Sequence, residues 1–484
     1  MYNKRYDVII IGAGVIGASV ARYLSRYSLS CLVLEKHNDV GEETTNANSA
    51  IVHSGYDPLP GTNKAKFNVK GNKMMESVCK DLDVTFHKIG SLTVAFTDDE
   101  VNTLDELLER AKLNGVDARL VEHDELMKME PNLNPEAKKA ILCKDAGIVS
   151  PFSLCVNLME NAMDNGVELG LNKEVVNIVK EKDLYKVETK NGETFYATAI
   201  VNASGLNSDT IAHLVGADNF KVIPRKGEYY VLDHFNAQWV NHTLFMCPTK
   251  VGKGVLISPT SSYNYIIGPT NDEGDKEDTS TNSDVLFNLR ESAKKIIPNL
   301  PMHENIRQFT GIRANSSTGD FIIEESTVSP NFYNLGAIMS PGLASSVAIG
   351  EYISDLIKDK LYLEPNANYN PKIRKHLKLA NLPLESFNKL VKEKSAYGRI
   401  VCRCEKISEG EIVDAIHRNC GATTVKGIKK RVRPGFGKCQ GTFCEEEVIK
   451  ILARELNKDI SEICYSELGT EIMRYGVKGV KNDK

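Results

Sequence analysis

The sequence predicts an α/β protein built from more than one domain, and three observations carry that prediction. A strand–turn–helix–strand unit with a glycine-rich turn occupies residues 6–36. The 484-residue length exceeds what one hydrophobic core organises. Six of the eleven cysteines fall after residue 400, which marks a separate C-terminal module. Apolar residues are 42% and charged residues 26%, so disorder, collagen and coiled coil are excluded as the overall class. A net charge of −4 excludes a general polyanion binder. No run reaches about 18 uninterrupted apolar residues, so no membrane-spanning helix is expected. The N-terminus lacks a charged region and cleavage site, and the cysteines form no secreted framework. A cytoplasmic protein is the expectation.

The elements follow in chain order. Residues 6–11 are a β-branched apolar run and read as a strand. Residues 12–17 are a turn, 18–27 have helical spacing, and 31–34 form a second strand ending at Glu35. Residues 84–96 and 174–201 alternate like strands, while 99–113 and 122–129 read as helices. Residues 222–270 hold several strand-like runs separated by Pro, Gly and Asn. Residues 271–284 are acidic and polar and read as an exposed loop. Residues 343–358 read as a helix. Residues 361–394 carry Pro365, Pro371, Pro383 and many lysines, and read as a connector with short helical pieces. A new module begins near Tyr397.

Gly12-x-Gly14-x-x-Gly17 sits between a strand and a helix. Gly12 permits the tight turn, Gly14 admits a pyrophosphate against backbone N–H groups, and Gly17 lets helix and strand pack closely. The helix N-terminus adds donors and a positive dipole end. Glu35 is placed to accept from a ribose hydroxyl. The strands, helix and acid together point to dinucleotide binding rather than to a mere strand–helix turn, without distinguishing NAD from FAD.

Four further stretches complete a pattern. They are TTNANSAIVHSGYDPLPGTNKAKFNVKGN (44–72), AIVNASGLNSD (199–209), PRKGEYYVLD (224–233), and GIRANSSTGD (311–320) leading into NLGAIMSPGLASSVAIGEYI (334–353). Hydroxyl and amide groups in 44–50 suit a cofactor's phosphates or ribityl chain, or a plain polar loop. Asn202–Gly205 follows an apolar strand, as a second close backbone approach requires, or as any strand-end turn does. Ser340-Pro-Gly342 opens an apolar helix whose N-terminus stabilises negative charge or is simply capped.

These stretches, in this order, resemble the D-amino-acid-oxidase-like FAD oxidoreductases. The nearest branch is the L-2-hydroxyglutarate oxidase and glycerol-3-phosphate dehydrogenase group. The resemblance implies a Rossmann-like FAD-binding domain from residues 1–83, 145–215 and 310–360. It implies an α+β antiparallel-sheet substrate domain from 84–144 and 216–309, a linker at 361–394 and a small iron–sulfur domain at 395–484. It implies cofactor contacts at Gly12, Ala13, Gly14, Gly17, Glu35, Lys36, Thr44, Thr45, Asn48, Ser49, Val175, Gly205, Gly342, Leu343 and Ala344.

In the family the segment holding His53 passes close to the flavin ring. His53 then reads as a general base for a substrate hydroxyl, as a covalent flavin link, or as a packed histidine. Arg313 reads as the catalytic-site anchor for an anionic substrate, since a guanidinium forks onto carboxylate or phosphate; a salt-bridged surface arginine is the plain alternative. Many relatives have proline after this arginine, where this chain has Ala314. Lys226 and Tyr265, with Tyr229 and Tyr230, are expected to line the same cavity or to pack within a strand pair.

Cys402-x-Cys404 is followed, after 34 residues, by Cys439-x4-Cys444. Four thiolates in two close pairs bind one metal centre, zinc or a [2Fe–2S] cluster. The spacing, with the Gly437–Gly441 core, resembles the bacterioferritin-associated-ferredoxin-like [2Fe–2S] domain, which favours the cluster. Cys420 and Cys464 read as ordinary buried thiols. Six basic residues and no acid lie between Lys426 and Lys438. They read as a docking face for an acidic carrier, as compensation of cluster charge, or as a solvated face. Nucleic-acid binding is not expected, since the patch is short and only Phe436 interleaves.

The resemblance implies an FAD-dependent dehydrogenase acting on a secondary alcohol, with electrons leaving through the cluster. The expected substrate is sn-glycerol 3-phosphate. An L-2-hydroxy acid such as L-2-hydroxyglutarate is the second reading, an amino or imino acid the third. A non-catalytic electron-transfer subunit is the rival of another class. The expected partner is an acceptor protein of flavoprotein or ferredoxin type. Peripheral membrane contact and oligomeric state stay open.

Overall fold

The computed structural model describes residues 4–234, 239–248 and 254–473. Residues 1–3, 235–238, 249–253 and 474–484, which fall within the expected domains, lie outside the described residues.

The first sheet has eight strands. Strand β1 (Lys4–Ile11) pairs in parallel with β2 (Cys31–Leu34) and with Thr194–Asn202. Glu168–Gly170 adds in parallel beyond β2, and Phe332–Gly336 adds in parallel at the end of Thr194–Asn202. Leu184–Thr189 and Val175–Glu181 complete that edge antiparallel. β1 reads as continuously apolar because both its faces are covered. Val8 and Ile10 face one core, and Ile9 and Ile11 face another with Tyr185 and Val187. Helix α1 (Val15–Leu24) follows the glycine turn. Helix α2 (Gly342–Leu361) crosses it so closely that a Cβ on Gly350 would stand 2.7 Å from the Ser19 backbone.

The second sheet has nine strands, largely antiparallel. Its spine is β3 (Val222–Leu232) against β4 (Asn305–Ser316), with Arg225 opposite Arg313, Gly227 opposite Gly311 and Tyr229 opposite Phe309. Strand alternation puts those six residues on one face and Lys226, Glu228 and Tyr230 on the other. The expected boundary between 309 and 310 therefore falls inside β4, which serves both halves of the molecule. The exception to antiparallel pairing is Thr243–Met246 beside Ser91–Ala95.

Residues 271–284 are not merely an exposed loop. Asp278 and Ser280 accept from the Lys226 ammonium at 2.8 and 3.2 Å, and Asn282 donates its N–H to Glu228 at 2.9 Å. The segment covers the outer face of β3.

The C-terminal module has its own core, including Ile412, Ile428, Ile449 and Leu452. It is docked by buried ion pairs rather than tethered loosely. Arg418 reaches Glu160 at 2.5 Å, with both side chains under 5% exposed. Helix α3 (Val425–Val432) lays Lys426 and Lys430 on Glu42, each at 2.6 Å, and forks Arg431 onto Asp39 at 2.8 and 2.9 Å. Half of the basic run is thus buried against the body, so its reading as a solvated or docking face is corrected there. Only Lys438 is strongly exposed at a contact, beside Glu304.

Candidate functional site

Two stretches of backbone touch at the glycine turn. Gly12 has φ +101°, and a Cβ there would stand 2.5 Å from the Ala203 carbonyl oxygen. A Cβ on Gly17 would stand 1.9 Å from the Gly12 carbonyl. Both glycines are required by close approach, as the spacing implied. Glu35 is buried and accepts from the Ala13 and His37 N–H groups at 2.7 and 3.0 Å; burial pushes its carboxyl up. Lys36 pairs with Glu43 instead of facing the turn.

A cavity of about 460 Å³ opens in front of this turn. Gly14, Thr44, Thr45, Asn48, Ser49, Gly205, Gly342 and Leu343 line it, as do His53, Tyr229 and Arg313. Gly12, Ala13, Gly17, Glu35, Lys36, Val175 and Ala344 do not. Ala344 is fully buried, and a Cβ on Gly71 would stand 2.1 Å from its carbonyl oxygen. Val175 starts an edge strand, its backbone paired with Thr189. Polar groups expected to meet a cofactor partly shape the loop: Thr45 Oγ1 accepts from Val15 N–H, and Asn48 donates to the Thr44 and Thr45 carbonyls.

Arg313 is held rigidly. Its Nη2 donates to the carbonyls of Lys226 and Thr270 at 3.1 and 2.6 Å and to Asn271 Oδ1 at 3.1 Å. Among the described residues Nε and Nη1 have no hydrogen-bond partner, so they remain for a ligand. Burial lowers the guanidinium below its usual range without discharging it. Gly227 makes room, since a Cβ there would stand 3.2 Å from Nη2. His53 lines the same cavity. Its carbonyl accepts from Asn68 and Asn72 at 2.6 and 3.2 Å, its ring stacks on Phe245 at 5.7 Å, and its Nε2 stands 3.4 Å from Ser340 Oγ.

Two expected lining residues are elsewhere. Lys226 points to the opposite face of β3, into Asp278 and Ser280. Tyr265 pairs with Leu232 on that same face and sits in the core, edge-on to Trp239 with its hydroxyl accepting from the Trp239 N–H. Tyr230 shares that core. Tyr229 does line the cavity, stacked on Phe309 at 4.5 Å and bonded to Ser49 at 3.0 Å. Sequence reasoning missed Asn271 and Asn315. Asn315 Oδ1 is buried with no partner among the described residues, in a residue that lines the cavity. That orphaned acceptor, the glycine cradle and the unspent Arg313 nitrogens fit a dinucleotide cofactor with an anionic substrate beside it.

In the C-terminal module, Cys404 and Cys439 sulfurs stand 3.8 Å apart, and the Cys444 thiol donates to Cys402. That bond lowers the Cys402 thiol and raises that of Cys444. Two thiolates on one tetrahedral metal, each at about 2.3 Å, stand about 3.8 Å apart. Among the described residues no group of three or more His, Cys, Asp or Glu side chains gathers as a single ion requires. Two thiol pairs can hold a two-iron centre, one pair to each iron. A Cβ on Gly437 would stand 2.3 Å from Cys404 Cβ, so glycine lets the two cysteine loops meet. Cys420 and Cys464 are buried free thiols outside this group.

Comparison with known proteins agrees with this arrangement. A family model described as FAD dependent oxidoreductase matches residues 7–356, and one described as BFD-like [2Fe-2S] binding domain matches residues 400–454. The chain is 44% identical over 471 residues to a glycerol 3-phosphate dehydrogenase of Caloramator mitchellensis, covering 97% of this chain and 98% of that one. It is 29% identical over 405 residues to the mitochondrial L-2-hydroxyglutarate dehydrogenase of Arabidopsis thaliana, covering 73% and 83%. The structure of FAD-bound L-alpha-glycerophosphate oxidase from Mycoplasma pneumoniae superposes with a TM-score of 0.73 at 34% identity, covering 76% and 98%.

Proposed function

The chain belongs to the FAD-dependent oxidoreductase family and ends in a BFD-like [2Fe–2S] domain, and on that premise we propose that it oxidises sn-glycerol 3-phosphate to dihydroxyacetone phosphate. Its cofactors are FAD and a [2Fe–2S] cluster. The chemistry that FAD supplies when bound is two-electron acceptance from the substrate carbon, and that of the cluster is one-electron relay.

The chain's own residues do the rest. Gly12–Gly17, Glu35, Thr44, Thr45, Asn48, Ser49, Gly205 and the N-terminus of α2 at Gly342 and Leu343 hold the cofactor. Arg313 binds the substrate phosphate through Nε and Nη1, since Nη2 is already spent on three acceptors. His53 takes the hydroxyl proton on Nε2, beside Ser340; the clamped carbonyl fixes its backbone. Cys402, Cys404, Cys439 and Cys444 hold the cluster. The electron acceptor is a flavoprotein or ferredoxin-type protein in the cytoplasm. No helix among the described residues is long and apolar enough to cross a membrane.

The observation that carries this reading is the half-buried Arg313, pinned on one nitrogen and open on two. The test is anaerobic mixing of holoprotein with sn-glycerol 3-phosphate, and separately with L-2-hydroxyglutarate, while following the oxidised-flavin band. Bleaching by the phosphate alone supports the proposal. Bleaching by the hydroxy acid alone reassigns the substrate, and bleaching by neither points to an electron-transfer subunit.

A further inference from the structure

The two thiol pairs of the C-terminal module do not sit alike. Cys402 and Cys444 are 1% and 2% exposed and belong to the module's core. Cys404 is exposed and Cys439 half-buried, their sulfurs 3.8 Å apart. The site therefore has one deep side and one side at the surface. An electron acceptor approaches it from the surface pair.

The residues around that pair form one rim, because Gly437 brings the two cysteine loops together at Cys404. Arg403, Lys406 and Lys438 are exposed, each within two positions of Cys404 or Cys439. Phe443 lies in the turn between Cys439 and Cys444 and is 82% exposed. The acids of the rim are already spent. Glu405 pairs with Arg433 at 2.9 Å and Glu446 with Lys450 at 2.6 Å. Glu447 pairs with Arg399 and Lys450, and Glu445 faces Lys429. Arg403 and Lys406 have no ion pair among the described residues. Lys438 meets Glu304 at 3.2 Å, yet its side chain stays 68% exposed. The rim thus presents positive charge around an exposed aromatic ring, beside the surface thiols.

We propose that this rim, Arg403, Lys406, Lys438 and Phe443, is the docking surface for an acidic one-electron carrier protein. The proposal rests on the reading that electrons leave through this module. Aromatic side chains anchor the centre of an interface, and a basic rim steers an acidic partner onto it in the right orientation. The uncompensated charge selects an acidic carrier, and the ring beside the surface pair brings that carrier close to the thiols.

The test is calorimetric titration of the oxidised holoprotein, without substrate, with a purified acidic ferredoxin and separately with an acidic flavodoxin. Saturable binding of at least one is expected, weakening steeply as salt rises from roughly 20 to 200 mM. The double variant Arg403→Glu, Lys406→Glu is expected to weaken it about tenfold or more and to flatten the salt dependence. Phe443→Ser is expected to weaken binding with the salt dependence kept. Lys128→Glu, at an exposed lysine of the substrate half, is expected to change neither. Unaltered cluster absorbance shows that each variant is folded and loaded. Because no substrate is present, a misassigned substrate leaves these results unmoved. Binding of neither carrier overturns the proposal, as does equal weakening by Lys128→Glu. So does unchanged binding in both rim variants. Phosphatidylglycerol vesicles captured through the same residues in place of either carrier make the rim a membrane contact, and a dimer that Phe443→Ser dissociates makes it an interface between copies; each overturns the proposal.

Discussion

Replacing Arg431 by Met tests how the electron-carrying module is fastened. The substitution keeps an apolar stem and removes the guanidinium. Arg431 forks onto both oxygens of Asp39 and gives further N–H groups to the Cys420 and Gly427 carbonyls. The two side chains are 2% and 9% exposed. Removing one member of a buried pair leaves an uncompensated charge and costs about 3–5 kcal/mol. Lys430 stays, 2.8 Å from Asp39, so the lower end, about 3 kcal/mol, is expected. Asp39 follows β2 and Arg431 lies on α3, so the loss falls on docking of the two modules. It amounts to about a hundredfold shift in the docked-to-undocked ratio. The assay is anaerobic stopped flow with substrate, reading flavin bleaching and cluster bleaching separately. Flavin bleaching should keep its rate while cluster bleaching lags. In a double-mutant cycle with Asp39→Asn, the combined loss should be smaller than the sum. Cluster bleaching at the wild-type rate with an unchanged melting temperature, or strictly additive losses, refutes the fastening role.

Other outcomes follow from the same geometry. Arg313→Ala should raise KM about a hundredfold, because a charged contact within the cavity is lost; steady-state kinetics check this. Cys439→Ser should remove the cluster's visible absorbance while substrate still bleaches the flavin. Gly12→Ala should yield flavin-free protein, since its Cβ would meet the Ala203 carbonyl at 2.5 Å; the absorbance ratio of flavin to protein reports it. Asp39 and Glu42 are buried, yet Arg431, Lys430 and Lys426 hold both carboxyls below their ordinary values. Their contribution is therefore full above about pH 4 and is lost as pH falls through the depressed values. Melting curves taken downward from neutral pH should show this acid limb, flattened in Arg431→Met.

The sequence by itself determined the elements whose physics is local. The glycine turn, the flanking strands and Glu35 lie within 30 residues, and steric need ties Gly12 and Gly17 to that turn. The cysteine spacing likewise carried its own chemistry. Arg313 and His53 were legible as candidates through family resemblance, and the fold lines one cavity with both. Tertiary structure decided which way residues face across long separations. Lys226 and Tyr229 are three positions apart on one strand, so alternation sends them to opposite faces, and only the pairing of β3 with β4 says which face holds Arg313. Tyr265 went to the core for the same reason, through its register with Leu232. The basic run of α3 looked like a surface because its partners, Asp39 and Glu42, lie almost 400 residues away in the chain. Charge complementarity over that distance leaves no periodic trace in a sequence, and only docking of the two modules brings it into being.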